Sequence, residues 1–403
     1  MRRSVKADVV REPARAVPVR GEADVVVAGG GIAGVAAALA AARNGASVCL
    51  LEKESALGGL ATLGNVAIYL PLCDGNGEQV VGGLGEELLL ASVADGSGAV
   101  PAGWRAGGDL ASRKAQRYRL EFNPASFLMR LEQLVLEAGI AILYDTRVCE
   151  VALRKGRITA LLVENKSGRG ALRCRYAVDA TGDADLCARA GEPTVSLAGN
   201  VPAAWFYYKD KEGRLALSLC SHAYDPGGSR VPEGAPAGFA GDDGGQVTAL
   251  TIAGRTLVRE KLARMNGPGK GGPVFPVMLP AIPSFRMTRR LKGSFELEES
   301  DDGRRFDDAI GMVGDWRKKG PVFRIPYRSL TAVKTANLIT AGRCISVGAT
   351  GWDITRAIPA CAVTGEAAGT AAALAARLGV PDLRAVPVQA LREQLRARRA
   401  LPG

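Results

Sequence analysis

The chain has 403 residues, 47% of them hydrophobic and 23% charged, enough for a large core and for two or three domains. Its net charge of +11 comes from 52 basic and 41 acidic residues that are scattered along the chain, and aromatics make up only 5%, which argues against a base-stacking nucleic-acid surface. The excess reads as a solvated basic face or, more sharply, as a cavity attractive to an anionic substrate.

The 8 cysteines stand singly, with no C-x-x-C, so neither a zinc site nor a cluster-binding set is expected, and free thiols point to a reducing cytoplasm. Residues 1–21 alternate charge, Val and Pro and read as an extended arm. The opening Met1-Arg2-Arg3 is followed by no apolar segment before Glu22, and the run Ile32 to Ala42 is too short to cross a bilayer, so no membrane association is expected.

The stretch "DVVVAGGGIAGVAAALAAARNGASVCLLEKE" (24–54) carries the clearest signal. Val25 to Ala28 reads as a strand buried on both faces, Ile32 to Arg43 as an alanine-rich helix closed by Asn44-Gly45, and Ser47 to Leu51 as a second strand ending at Glu52. The spacing Gly29, Gly31, Gly34 between the first two elements is that of a dinucleotide turn. Gly29 permits the turn, Gly31 lets a diphosphate approach the main chain, and Gly34 lets the helix pack closely. The helix start, with Ile32 and Ala33, offers free amides. Glu52 lies where a carboxylate accepts hydrogen bonds from a ribose. A glycine turn in an empty α/β unit is the plain alternative.

A glycine-rich loop with Gly58 and Gly59 follows. Residues Asn123 to Ala138 predict an amphipathic helix, with Asn123 as cap, Pro124 in first position and Gly139 at the end. Strands are expected at Ile140–Asp145, Arg147–Arg154, Ile158–Asn165 and Arg173–Asp179, three of them resembling a meander inserted between parallel strands. The region Glu192 to Pro283 is rich in Gly and Pro. Its patch Asp225 to Gly245 suggests a lid or plain disorder. A buried strand at Asn337–Ala341, a glycine turn and a long Ala/Gly helix from Pro359 to Gly379 close the pattern.

Two strand ends, Ala180-Thr181-Gly182-Asp183 and Ala341-Gly342-Arg343, resemble those of flavoproteins of the glutathione-reductase type. With "VVGGLGEELL", "RRLKGSFELEES", "RRFDDAIGM", "RIPYRSL" and "AGRCIS…RAIPACAVTGEAAGTAAAL", the chain is similar nearly end to end to FAD-dependent oxidoreductases. At the level of fold it resembles the flavoprotein subunits of fumarate reductase and heterodisulfide reductase. That resemblance implies an α/β fold: a Rossmann-like FAD-binding domain (22–65, 120–192, 325–380) with a parallel sheet and inserted meander, and a discontinuous substrate domain (66–119, 193–324). The arm 1–21 and a segment 381–403 flank them.

It also implies FAD as cofactor, held by Gly29, Gly31, Ile32, Ala33, Gly34, Glu52, Lys53, Gly59, Ala61, Thr62, Val148, Ala180, Thr181, Gly182, Gly342, Arg343, Pro359, Thr364 and Gly365. Gly58-Gly59 could equally be a flexible turn. Two departures stand out. The run "VGDWRKKGPVFRIPY" lacks the family's usual His, and Asn123-Pro124-Ala125 replaces Asp-Pro-Glu.

The only histidine, His222, is more simply structural than a general base. Among Arg286, Arg289, Arg290 and Arg356, the expectation for substrate chemistry falls on Arg356 and Arg290, which can anchor a carboxylate or relay a proton. Cys73 and Cys344 lack a partner for redox work. The expected activity is hydride transfer between noncovalent FAD and a small polar, in one reading anionic, substrate; a flavin-bearing electron-transfer subunit is the alternative. No metal is expected, and a homo-oligomer is compatible with the sequence.

Overall fold

A computed structural model describes residues 10–220, 238–270 and 273–403. His222 and the patch residues 225–237 lie outside these. The apolar run after Asp24 forms the end of strand β1 (Val19–Ala28), which pairs in parallel with β2 (Val48–Leu51) and with the long strand Gly168–Asp179. Strands Ala141–Leu143 and Leu338–Thr340 add to the two sides, also in parallel. All four residues of β2 are buried, as expected for strands covered on both faces.

The strand Gly168–Asp179 joins the parallel and antiparallel parts of one seven-stranded sheet. Its first half pairs antiparallel with Arg157–Asn165, which in turn pairs with Arg147–Arg154, giving the expected meander. Its last four residues are all buried in the parallel sheet. The strand therefore starts five residues earlier than the apolar run alone indicates. Likewise Val19 to Ala23, at the end of the expected arm, pairs with Ala171 to Cys174, because the twin role of that strand leaves an edge for β1 to follow.

Helix α1 (Ile32–Arg43) and the long helix Ile358–Leu378 cross in close contact, since a Cβ on Gly365 would lie 2.2 Å from the carbonyl oxygen of Ala33 and one on Gly369 2.0 Å from that of Ala37. The long helix has Pro359 in its first turn and ends at Gly379 in the left-handed region (φ 67°). Among the described residues it is the one helix apolar and long enough to cross a membrane, and 94% of its apolar window is buried in the protein.

Residues 66–119 add Tyr69, Leu72, Val80, Leu84, Leu88 and Tyr118 to the main core, as residues 287–323 add Met287, Leu297 and Phe323. Helix α2 (Gly83–Ala91) lies there against the long helix, its Leu84 amide donating to Glu366 Oε2 at 2.9 Å. The cap proper is a three-stranded antiparallel sheet of Ala204–Lys209, Leu215–Cys220 and Phe275–Met278, covered by helix Gly244–Met265. Its small core contains Ala204, Phe206, Cys220 and Val258. That helix, started by Asp243 accepting from the Gln246 amide, has no counterpart in the sequence reading. Its buried stripe is only Leu250, Gly254 and Val258, too narrow to stand out as a helical period.

Candidate flavin and substrate site

The glycine turn has the geometry its spacing implies. Gly29 has φ 101°, and a Cβ there would come within 2.4 Å of the Ala180 carbonyl oxygen; a Cβ on Gly34 would come within 1.7 Å of the Gly29 carbonyl oxygen. Both glycines are therefore required by packing. At Gly31 an added Cβ meets nothing within 4 Å, so this face is open. Gly31 caps α1 without a side chain, no acid lies in the first turn, and the bond from the Val35 amide to the Gly31 carbonyl begins the helical pattern. The amides of Ile32, Ala33 and Gly34 precede it and have no acceptor from the preceding turn, the arrangement that receives a diphosphate.

Glu52, buried behind the turn, accepts from the Gly30 amide at 2.6 Å and from the Glu54 amide at 2.8 Å. Burial pushes its pKa up, against these two amides, which favour the charged form. Each carboxylate oxygen retains a further lone pair for a ribose hydroxyl. The adjacent Lys53 is exposed. The second glycine loop rests on the first: the Gly58 amide donates to the Gly30 carbonyl at 2.8 Å, and a Cβ on Gly59 (φ 55°) would lie 3.2 Å from the Cα of Gly31. Thr62, buried with Ala61, donates its hydroxyl to the Leu57 carbonyl at 2.5 Å and so closes that loop. Val148 is half-buried and pairs with Val163 in the meander.

The two flavoprotein-like strand ends meet through Arg343. Its guanidinium donates to the carbonyls of Gly182 (2.6 Å) and Phe285 (2.9 Å) and to Asp183 Oδ1 (2.8 Å). One side chain thus ties the last strand, the turn after the strand Gly168–Asp179 and the cap segment before Arg286. Burial alone would raise the Asp183 pKa, but Arg343 and Lys53 outweigh it and hold the carboxyl below its ordinary value. Thr181 donates its hydroxyl to the buried Asp179 at 2.7 Å, and the Gly342 amide donates to Thr364 Oγ1 at 2.9 Å, fixing this turn on the long helix. Gly365 faces α1, so the structure gives it a packing role.

The arginines separate by partner. Arg290 is buried and ion-paired with Glu296 at 2.7 Å, its guanidinium 5.7 Å from the Trp352 ring centroid. Arg356 ends the short helix Trp352–Thr355, pairs with Asp353 and lies 5.7 Å from the Trp316 ring centroid. It stands immediately before Ala357, the cap of the long helix. Arg286, 8% exposed, lies over Trp205 at 6.0 Å, with Arg356 and Arg343 as the nearest positive charges. Sequence reasoning put Arg290 ahead of Arg286; the acid that occupies Arg290, six residues further on across a turn, carried no signal of pairing. Cys344 is buried, donates to the Ala341 carbonyl at 3.1 Å, and has its thiol pKa pushed well up by burial.

A parallel sheet, a glycine turn open at Gly31, an acid at the end of β2 and a cap over the strand ends define a nucleotide-dependent oxidoreductase. The chain belongs to the FAD dependent oxidoreductase family, whose profile matches residues 24–201 and 241–395. Among solved structures it is similar to a geranylgeranyl bacteriochlorophyll reductase-like protein of Thermoplasma acidophilum, with a TM-score of 0.50 and 13% identity over 94% of this chain and 84% of that one. It is also similar to p-nitrophenol 4-monooxygenase of Pseudomonas putida (TM-score 0.47, 14% identity, 93% and 83% covered). A flavocytochrome c3 fumarate reductase aligns at TM-score 0.44 and 15% identity, over 89% and 79%. At these identities the likeness establishes the fold alone. No curated protein matches the sequence.

The residues fit FAD: the open face of Gly31 with its helix amides suits the diphosphate, and Glu52 suits the adenosine ribose. When bound, FAD supplies the two-electron chemistry of the enzyme.

Proposed function

We propose that this oxidoreductase transfers a hydride between noncovalently bound FAD and a small polar, anionic organic substrate at the seam between the strand ends and the cap. The observation that carries the reading is the start of the long helix. It has no acid in its first turn and no side-chain cap, and Arg356 stands directly before it. A helix start carries about half a positive charge, so this seam favours negative charge on whatever lies against it.

In this reading Arg356 orients the substrate, while Asp353 and Trp316 hold its guanidinium in one place. Arg343 fixes the two strand ends relative to the cap. The apolar faces of half-buried Trp205 and buried Trp352 limit access of water, which strengthens each charge interaction at the seam. The test is anaerobic mixing of the purified yellow protein with candidate hydroxy and amino acids, and of the dithionite-reduced protein with unsaturated acids. Bleaching of the oxidised flavin, or return of the yellow colour to the reduced one, by one compound alone supports a substrate-using enzyme. Reduction only through a second protein would instead mark an electron-transfer subunit.

A further inference from the structure

Arg286 is held rigidly at its backbone and left without a partner at its side chain. Its amide donates to Asn200 Oδ1 at 3.0 Å, and the carbonyl of Phe285 before it is held by Arg343 at 2.9 Å. Among the described residues its guanidinium makes no hydrogen bond and no ion pair, although the residue is only 8% exposed. Each neighbouring arginine has an acid in contact: Asp183 for Arg343, Glu296 for Arg290, and Asp353, shared with Arg317, for Arg356. Trp205, over whose ring the guanidinium lies at 6.0 Å, is tied by its carbonyl to Asn65 at 3.1 Å, in the loop that follows Gly59. Arg286 therefore sits where the cap meets the second glycine loop.

A largely buried guanidinium with no hydrogen-bonded counter-charge is costly, because it has lost most of its water. Burial and the positive charges of Arg356 and Arg343 push its pKa down to about 9, and Asp353, which makes no hydrogen bond or ion pair with it, offsets them only in part. Both facts describe a cation lacking its anion. The diphosphate of FAD already has donors at the start of α1. What remains is an anion arriving with the substrate.

We propose that Arg286 is the receptor for a carboxylate of the substrate, binding it through its two-pronged guanidinium, with Arg356 as the second positive charge. The proposal rests on the hydride-transfer reading above and narrows its substrate to carboxylic acids. The planar fork matches a carboxylate with two parallel hydrogen bonds, and Trp205 limits the orientations the fork can take.

The experiment titrates the purified holoprotein with succinate, pyruvate and benzoate, reading the flavin absorbance difference spectrum, with chloride and inorganic phosphate as controls. At least one carboxylate is expected to give a saturable shift at concentrations where chloride gives none. Arg286→Met should weaken that binding roughly 10-fold or more, and Arg286→Lys should be intermediate, both keeping their FAD and melting temperature. A flavin spectrum indifferent to all three acids, a shift produced equally by phosphate, or equal carboxylate affinity in Arg286→Met would overturn the assignment. So would loss of FAD in both variants, which would make Arg286 part of the cofactor site or of the fold. The underlying reading fails separately, if the protein purifies without FAD or no compound exchanges electrons with it.

Discussion

The carboxylate of Glu52 accepts the backbone amide of Gly30 at 2.6 Å, so the acid that ends β2 also braces the glycine turn that follows β1. Two elements of the nucleotide site are therefore one mechanical unit. Removing the acid should affect both the ribose contact and the turn.

Glu52→Ala is expected to weaken FAD binding by about 1–3 kcal/mol, the size of one charge-assisted hydrogen bond. Titration of the apoprotein with FAD, read by quenching of flavin fluorescence, measures it. Unchanged affinity would show that the ribose is read by another group.

Gly365→Val should lose FAD and destabilise the fold, and even Gly365→Ala should lower stability by about 1–3 kcal/mol. The cause is the carbonyl of Ala33 at 2.2 Å from the position a Cβ would take, with helix backbone on both sides unable to yield. Thermal melts of the two variants, with flavin content read from the same samples, decide this. A melting temperature equal to that of the natural protein would contradict the close helix crossing.

Arg356→Ala should retain FAD and slow substrate-driven flavin reduction by about 10-fold or more, about 1.4 kcal/mol in the barrier. The arginine pairs with Asp353 and not with the sheet, so the fold should survive its loss. Anaerobic stopped-flow on the wild type and the variant gives the rate. A normal rate would remove this residue from substrate handling.

Glu366 sets a pH dependence. It is buried in the long helix with one amide donor, Leu84, and burial pushes its pKa from 4.5 up to about 8. The folded protein therefore holds this proton more tightly than the unfolded chain. Its contribution to stability is fully present below about pH 4.5 and is lost as pH rises to about 8. Glu366→Gln keeps an acceptor for Leu84 and removes the charge. It should flatten this loss and raise stability at pH 8.5 by about 1–2 kcal/mol, as read by urea melts at pH 6 and 8.5. An unaltered pH profile would show that the carboxylate is already ionised at neutral pH.

Release of the flavin is a further check. Acid precipitation should leave the yellow colour in the supernatant, as noncovalent FAD requires; a yellow pellet would show a covalent bond.

The legible parts of this protein are local. The strand, glycine turn, helix, strand and acid of residues 24–54, the Asn123 cap, the meander and the Pro359-to-Gly379 helix are each written within one or two elements, where period, caps and glycine conformations act between near neighbours. Helix Gly244–Met265 escaped because its packed stripe is three residues wide along 22. The surroundings of segment 66–119 are set by the long helix far along the chain, which its own residues do not record.

Sequence alone determined the cofactor fold, since a diphosphate site is built from consecutive residues around one turn. Tertiary structure alone decided which arginine is free. Arg343 finds its acceptors 58 to 161 residues away, and Glu366 finds Leu84 at a separation of 282. Four arginines of one chemical type become a clamp, an occupied ion pair, a group held beside the start of the long helix and an unpaired cation by the neighbours that folding brings to each. Charge pairing depends on distance in space, which falls off steeply over a few ångströms, and linear order carries no record of it.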